Sequence, residues 1–215
     1  MAMELSDVLV VGEALVDIVT SADGVTTEHP GGSGTNVAVA LGRLGRPVRY
    51  VAAYADDARG RVLAAHLAAA GVRMACSPYV VSRTSTARAT IGADGSATYE
   101  FDLDWRLGEI SVGTPRIVHV GSLAPVLSPG ADVVFALLDG LPSGVRVFYD
   151  INMRPSLTGT DDEVVASIER AVSYADVVKA SDEDLETLYP GADLDKAVAR
   201  LLDLGAGAVA VTRGG

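Results

Sequence analysis

Three polar side chains and one glycine-rich turn of this sequence have the chemistry to bind a small polar molecule. The carboxylate of Asp17 can accept hydrogen bonds from two hydroxyl groups at once, and the amide of Asn36 can both donate and accept. The guanidinium of Arg154 has the fork geometry that suits a phosphoryl group or a carboxylate. Residues 31–34 (Gly-Gly-Ser-Gly) let a ligand approach the main chain, and a helix that begins there presents free N–H groups. We therefore expect a backbone-lined site for a polar ligand.

The glycine pattern does not match the common nucleotide-binding fingerprints. A dinucleotide site needs Gly-x-Gly-x-x-Gly directly after the first strand, but Gly12 has no second glycine in place. The later pair, Gly32 and Gly34, lacks the third glycine because Val37 stands there, and no Gly-x-x-x-x-Gly-Lys-Ser/Thr segment occurs. A Rossmann-type oxidoreductase is therefore disfavoured, whereas the turn alone leaves an ordinary loop and helix start open.

The composition predicts one α/β domain and argues against several classes of partner. The 215 residues are 49% hydrophobic, which is enough for a buried core. The formal net charge of -11 argues against binding to nucleic acid, whose phosphates need clustered Lys and Arg. Neither a signal peptide nor an apolar stretch long enough to cross a bilayer is visible, so we expect no membrane partner. Cys76 is the only cysteine, which excludes an intrachain disulfide and fits a reducing cytoplasm.

The elements that must position these side chains alternate between strand and helix. Short apolar runs and helical spacing, separated by glycine stops and Asp caps, indicate β-α-β units and hence a parallel sheet with right-handed crossovers. Strands are predicted over residues 8–11, 48–53, 72–76, 116–120, 145–149, 177–179 and 208–212. Helices are predicted over residues 34–44, 57–70, 131–138, 162–174, 182–188 and 193–204. Ligands of such doubly wound sheets bind at the carboxyl ends of the strands.

The alternation is interrupted by a segment that indicates a second, smaller sheet. Residues 86–91 and 97–101 alternate around Gly92-Ala93-Asp94-Gly95, which is a hairpin signal and predicts an antiparallel sheet with one exposed face. Residues 15–19 and 25–28 could supply two more strands. We therefore expect a lid formed by about residues 13–31 and 84–108. Its candidate specificity residues, which could equally serve lid packing or a dimer seam, are Arg88, Tyr99, Asp102, Asp104, Trp105 and Arg106.

Five segments, taken together and in order, resemble the PfkB (ribokinase-like) family of carbohydrate kinases, most closely its fructokinase-like members. They are residues 12–17 (Gly-Glu-Ala-Leu-Val-Asp), the glycine turn with Asn36, residues 119–123 (His-Val-Gly-Ser-Leu), residues 150–155 (Asp-Ile-Asn-Met-Arg-Pro) and residues 179–185 (Lys-Ala-Ser-Asp-Glu-Asp-Leu). The resemblance covers essentially the whole chain. It implies a ribokinase-like three-layer α/β core with a mainly parallel sheet, a small β-sheet lid, a small-molecule sugar substrate, and ATP and Mg²⁺ as cofactors.

The resemblance also implies roles for individual residues. The residues expected to bind substrate are Asp17, Gly31, Gly32, Asn36, Gly121, Ser122, Asp150, Asn152 and Arg154. The residues expected in the nucleotide and phosphate region are Lys179, Ser181, Asp184, Thr212 and Gly214. Asp184 stands where most members carry Glu, and we expect it to act on Mg²⁺ through the water shell of the metal. The Ser-x-x-Asp pattern at 181–184 is also close to a helix capping box, and both roles can coexist.

The family signature Asp-Thr-x-Gly-Ala-Gly-Asp, whose last Asp is the catalytic base, does not occur before Gly215. We therefore expect no catalytic base in this chain and read the 215 residues as an incomplete portion of a kinase, inactive alone. The favoured function is an ATP-dependent, fructokinase-like sugar kinase, possible as a homodimer through the lid. The alternatives are ribokinase, 2-keto-3-deoxygluconate kinase, nucleoside kinase, or a non-catalytic sugar-binding or regulatory protein.

Overall fold

The computed structural model of the chain describes residues 8–92, 97–110 and 113–214. Its strands are β1 (Val8–Val11), β2 (Leu15–Thr20), β3 (Thr26–Gly31), β4 (Val48–Val51), β5 (Arg73–Met74), β6 (Thr86–Ile91), β7 (Ala97–Asp102), β8 (Ile117–Gly121), β9 (Arg146–Asp150), β10 (Val177–Ser181) and β11 (Ala208–Thr212). Its helices are α1 (Ser33–Arg43), α2 (Ala58–Ala69), α3 (Gly130–Asp139), α4 (Pro155–Thr158), α5 (Asp162–Val172), α6 (Asp182–Leu188) and α7 (Leu194–Asp203).

The main sheet has seven strands in the order β11-β10-β9-β8-β1-β4-β5, and all of its pairings are parallel. From β1 the chain first builds outward through β4 and β5, and then crosses back to build outward through β8, β9, β10 and β11. The strand order therefore reverses between β1 and β8. In open α/β sheets, ligands bind in the crevice that this reversal leaves at the carboxyl ends of the strands.

Two apolar layers cover the faces of this sheet, as the family resemblance implies for a three-layer core. Alternate residues of β1 point to opposite faces, so Leu9 and Val11 belong to one core cluster and Val10 to the other. Side chains of α3, α5, α6 and α7 complete the first cluster, while those of α1 and α2 complete the second. The side chains of Leu9, Val10 and Val11 are fully buried, which places β1 at the centre of the fold.

The second sheet has four strands in the order β3-β2-β6-β7, and these strands come from the two segments expected to form a lid. The β6–β7 pair is antiparallel, which confirms the hairpin, although residues 93–95 of its predicted turn lie outside the described residues. The prediction of a wholly antiparallel sheet is wrong at the centre, because β2 and β6 pair in parallel. Both strands leave the core in the same direction, and side-chain alternation carries no information about strand direction.

The six predicted helices begin and end within one or two residues of the predicted bounds, whereas the short α4 was not predicted. Side chains of the N-cap residues cap α2, α5, α6 and α7 locally. Asp57 caps α2, as predicted, by accepting a hydrogen bond from the Gly60 N–H at 2.7 Å. Asp161 and Asp193 cap α5 and α7 in the same way. In the described part of the chain, no helix has the length and apolar character needed to cross a membrane.

Candidate functional site

A cavity of about 380 Å³ lies between the carboxyl ends of β1 and β9, the start of α1 and the lid. This is the crevice beside the reversal of strand order. Its walls are formed by Glu13, Leu15, Asp17, Gly32, Ser33, Asn36, Val37, Ala87, Phe101, Leu123, Asp150, Asn152, Arg154 and Leu157. A larger groove of about 490 Å³ between α6 and α7 contains none of the predicted site residues.

The lid contributes the carboxylate of Asp17, and Gly31 makes room for it. Asp17 on β2 stands opposite His29 on β3 and close to the end of that strand. A Cβ atom added to Gly31 would lie 1.9 Å from Asp17 Oδ2, so the carboxylate occupies the space of the missing side chain. Burial raises the pKa of the Asp17 carboxyl above its usual range, and the charge of His29 opposes that shift. The result is a half-buried acceptor on the cavity wall.

The glycine turn brings the start of α1 against the end of β1. Gly32 has a φ of 98°, and a Cβ atom there would lie 2.4 Å from the carbonyl oxygen of Glu13. Gly12 and Gly34 touch backbone to backbone, since a Cβ atom on Gly12 would lie 2.9 Å from the Cα of Gly34. These contacts require glycine, for conformation at Gly32 and for space at Gly12 and Gly34. They place Asn36, which is exposed, at the cavity wall.

Two neighbouring turns at the ends of β8 and β9 hold left-handed, non-glycine residues. Ser122 has a φ of 41° and Asn152 a φ of 37°, a conformation that costs energy and is concentrated at functional sites. The Ser122 hydroxyl donates to the Asn152 carbonyl at 2.8 Å, and its N–H donates to the Asp150 carbonyl at 2.9 Å. Asn152 lines the cavity, whereas Gly121 and Ser122 do not, and Ser122 is joined to the wall through its hydrogen bond to Asn152.

Charged residues meet at the carboxyl ends of β9 and β10. Asp150 Oδ1 lies 3.1 Å from Lys179 Nζ. Burial raises the pKa of the Asp150 carboxyl, and the ammonium group of Lys179 opposes the shift. Arg154 stands in the same turn and lines the cavity, and its guanidinium donates to the Met153 carbonyl at 2.8 Å. Arg154 therefore brings a cation to the cavity wall beside Asp150, while Lys179 lies at the end of the neighbouring strand.

Asp184 joins the β10–α6 junction to this turn. Its Oδ1 accepts from the Met153 N–H and its Oδ2 from the Ser181 N–H, both at 2.7 Å. The Ser181 hydroxyl in turn accepts from the Asp184 N–H at 2.9 Å, which completes a capping box. Thr212 lies opposite Ser181 in register, and Gly214 follows β11. None of the five residues predicted for the nucleotide region lines the cavity itself; they lie at the neighbouring strand ends.

Several residues of the cavity wall were not predicted from the sequence. Glu13 lies within residues 12–17, and its position directly after the first strand is a signal that could have identified it. Phe101 lines the cavity, whereas Tyr99 is 62% exposed and Trp105 is buried with its indole N–H donating to the Ala124 carbonyl. Tyr99 and Phe101 point to the same face of β7. Phe101 lies closer to the core and therefore lines the cavity, whereas Tyr99 is exposed. The alternation of the sequence does not reveal how far each residue lies from the core.

Comparisons with known proteins point to one family. The sequence profile of the pfkB family carbohydrate kinases matches residues 5–215. A fructokinase of Rhizobium leguminosarum bv. trifolii is 32% identical over 96% of this chain and 67% of its own length. The crystal structure of a fructokinase from Xylella fastidiosa matches with a TM-score of 0.84 at 27% identity, covering 98% of this chain and 73% of that chain.

A fructokinase from Vibrio cholerae O395, crystallised with fructose, ADP and calcium bound, matches with a TM-score of 0.82 at 28% identity. The match covers 97% of this chain and 70% of that one. The chain therefore spans 67% to 73% of the length of these three proteins.

Proposed function

Because the chain belongs to the pfkB family of carbohydrate kinases, we propose that its cavity binds a neutral sugar and that fructose is the favoured substrate. Its relatives identify it as a fructokinase-like, ATP-dependent sugar kinase, a phosphotransferase with an alcohol group as acceptor. We also propose a cytoplasmic location, which the single cysteine supports.

The composition of the cavity wall supports a neutral substrate. Glu13, Asp17 and Asp150 supply three carboxyl groups, while Arg154 is the one cation among the wall residues that the structure describes. An anionic sugar acid such as 2-keto-3-deoxygluconate would meet this acidic wall at an electrostatic cost. A nucleoside base would find a single aromatic ring, that of Phe101, in the described wall. A polyhydroxylated neutral sugar matches the carboxylate and amide groups without either mismatch.

The residues at the ends of β9 and β10 fit the phosphates of ATP. Arg154 and Lys179 place two cations there, beside the half-buried carboxyl of Asp150. Within the described part of the chain, no group of three or more His, Cys, Asp or Glu side chains is arranged to hold a metal ion. Mg²⁺ at nucleotide sites keeps several waters and takes only one or two carboxylates, so this arrangement is compatible with it. When bound, ATP with Mg²⁺ supplies the transferred phosphoryl group and neutralises its charge.

The residues of this chain hold the acceptor in place. Asp17 accepts hydrogen bonds from sugar hydroxyls, while Asn36 and Asn152 bind further hydroxyls from the opposite wall. Arg154 and Lys179 stabilise negative charge at the phosphates, and Asp184 acts by holding the turn that carries Arg154. The lid covers the sugar and excludes water. We further propose a homodimer formed through the lid, with neither nucleic acid nor membrane as partner.

Calorimetric titration of the chain with fructose, ribose, 2-keto-3-deoxygluconate and adenosine tests the substrate class. We expect fructose to bind, and Asp17→Asn to weaken it about 10- to 150-fold because hydrogen bonds to a charged acceptor are lost. Asp23→Asn, in the exposed β2–β3 turn, is the matched control and keeps the parent affinity. Tighter binding of the sugar acid or of adenosine than of fructose would overturn the proposal.

A coupled assay with ATP, Mg²⁺ and fructose measures phosphoryl transfer separately from binding. Sugar-dependent ADP release supports the kinase, and Asp17→Asn should lower it about 10- to 150-fold at sub-saturating fructose, in step with the loss of binding. Tight fructose binding with no transfer by the protein that carries this chain would favour the non-catalytic sugar-binding alternative instead.

A further inference from the structure

Helix α1 has no cap of its own, although it carries part of the cavity wall. Its N-cap residue is Gly32, no side chain of that residue can accept a hydrogen bond, and no acidic residue stands in the first turn. The positive φ of Gly32 and the 2.4 Å approach of a Cβ atom to the Glu13 carbonyl exclude the usual Ser, Thr or Asp at this position. The ligand-facing turn therefore prevents local capping.

A side chain from another element provides the missing acceptor. Glu13 Oε1 accepts a hydrogen bond from the Ser33 N–H at 2.6 Å, across 20 positions of the sequence. The main chain of Glu13 is also held, because its carbonyl accepts from the Tyr50 hydroxyl at 2.8 Å. Glu13 precedes β2 by two residues, so this carboxyl group connects the first turn of α1 to the point where the chain enters the lid.

The burial of the Glu13 carboxyl group costs more free energy than a purely structural cap would need. Glu13 is 8% exposed, and its Oε2 is buried without a hydrogen-bond partner. Burial raises the pKa of the Glu13 carboxyl, an effect that the hydrogen bond from the Ser33 N–H and the charge of Arg154 oppose. Glu13 also lies in the walls of both the ligand cavity and a smaller cavity beneath the lid, beside Ser85 and Trp105. A buried carboxyl group with an unpaired oxygen thus lies between the start of α1 and the lid, the two sides of the proposed sugar site.

We propose that Glu13 is a positioning residue, which fixes the start of α1 to the lid entry and so sets the distance between Asn36 and Asp17 that the sugar requires. The identification of the ligand as a sugar rests on the function proposed above. Glu13 acts through Asn36 and Gly32, because its Oε1 is held by the Ser33 N–H and its Oε2 is buried.

Three substitutions separate the hydrogen bond from the charge. Glu13→Ala removes the acceptor, Glu13→Asp withdraws it by one methylene, and Glu13→Gln keeps a neutral acceptor at the same reach. Glu186→Ala is the matched control, since Glu186 also accepts a backbone N–H, that of Gly191 at 3.1 Å, but on the exposed surface of α6. Each variant is measured by residue-resolved amide hydrogen exchange without sugar and by titration with fructose.

We expect Glu13→Ala and Glu13→Asp to lower the protection of the amides of residues 33–36 and to weaken fructose binding, each by about 2- to 30-fold, which is the effect of losing an N-cap hydrogen bond. Glu13→Gln should restore both quantities to within about 3-fold of the parent, and Glu186→Ala should change neither. If Glu13→Ala does not fold, the comparison of Glu13→Asp with Glu13→Gln carries the test.

Unchanged protection at residues 33–36 in the folded Asp or Ala variant would overturn the proposal, as would a Gln variant no better than Ala. Parent fructose affinity in a variant that has lost this protection would overturn it as well. If the parent binds no fructose while protection falls as expected, the proposed sugar substrate fails and the positioning of α1 by Glu13 stands.

Discussion

The carboxylate of Asp17 occupies space that is open only because residue 31 has no side chain. We expect Gly31→Ala to weaken fructose binding by about 10-fold or more, because the new methyl group displaces Asp17 Oδ2 from the cavity wall. The side chain of Asp17 can rotate away, so the loss should fall on binding more than on the free energy of unfolding. Titration with fructose and thermal unfolding of the same sample measure both quantities.

Gly140→Ala is the control for this substitution. Residue 140 has a φ of -89°, and an added Cβ atom meets its nearest neighbour at 3.4 Å, so the methyl group fits without displacing a carboxylate. Equal affinities for Gly31→Ala and the parent would show that Asp17 does not depend on the empty position.

His119 predicts a pH dependence of stability. Burial lowers the pKa of its imidazole to about 4 in the folded chain. In the unfolded chain the pKa of the same group is the ordinary histidine value of about 6.5. The stability that the neutral ring contributes is therefore complete above pH 6.5 and is lost as the pH falls toward 4. Between pH 7 and pH 4.5 we expect the parent to lose about 2 kcal/mol more than His119→Gln.

Urea unfolding of the two proteins at several pH values measures this difference. The comparison with the variant is needed because burial raises the pKa of the carboxyl groups of Glu13, Asp17 and Asp150, which favours the folded state on acidification. These groups are common to both proteins and cancel. Parallel stability curves for the parent and His119→Gln would contradict the prediction.

At the level of elements, an ion pair joins the lid to the core. Arg59 at the start of α2 binds Glu28 on β3 through two hydrogen bonds, at 3.0 and 2.6 Å, with the side chains 38% and 43% exposed. We expect Arg59→Gln to change the free energy of unfolding by less than about 1 kcal/mol, as exposed pairs do. We also expect faster amide exchange in β3, because one attachment of the lid is lost. Raising the salt concentration should bring the exchange of the parent toward that of the variant.

Arg61→Gln provides the control, since Arg61 pairs with Asp56 at 3.2 Å within the same segment of the core. Its loss should leave β3 exchange unchanged. If both variants exchange alike in β3, or if salt leaves the exchange of the parent unchanged, the ion pair does not restrain the lid.

The elements were more predictable than their arrangement. Alternating apolar runs and Asp caps are local signals, and they predicted the strands and helices of the core and the β6–β7 hairpin. The parallel pairing of β2 with β6 depends on where the chain leaves the core, which no local pattern records. The predicted strand over residues 72–76 shortens to Arg73–Met74, which is an edge strand bonded only to β4. For the site, Asp17 and Asn36 follow from resemblance, whereas the capping contact between Glu13 and Ser33 needs three-dimensional proximity.

For the whole molecule, one face of the lid suggests how two copies would associate. Val19, Ala89 and Tyr99 lie side by side across β2, β6 and β7, on the face that carries Asp17 and Phe101. Tyr99 is 62% exposed, so this apolar row continues the cavity wall outward into solvent. We expect Tyr99→Glu to shift a concentration-dependent dimer to monomer, measured by sedimentation velocity. The reason is that the charge would be buried in the interface.

Leu44→Glu is the control for the dimer. Leu44 is 75% exposed, like Tyr99 an apolar surface residue, but it lies at the end of α1 and not on the lid. It should sediment like the parent. A parent that sediments as a monomer at all concentrations tested would contradict the lid dimer.

The backbone contact between Gly12 and Gly34 limits how this protein can diverge. Each glycine is blocked by the other, and a Cβ atom on Gly34 would also lie 2.8 Å from the Tyr50 hydroxyl. A larger residue at either position cannot be compensated by a smaller one at its partner, because no smaller residue exists. Selection for a new substrate therefore has no accessible path through this contact, and must act on positions whose neighbours are movable side chains, as at Gly31, or on the lid.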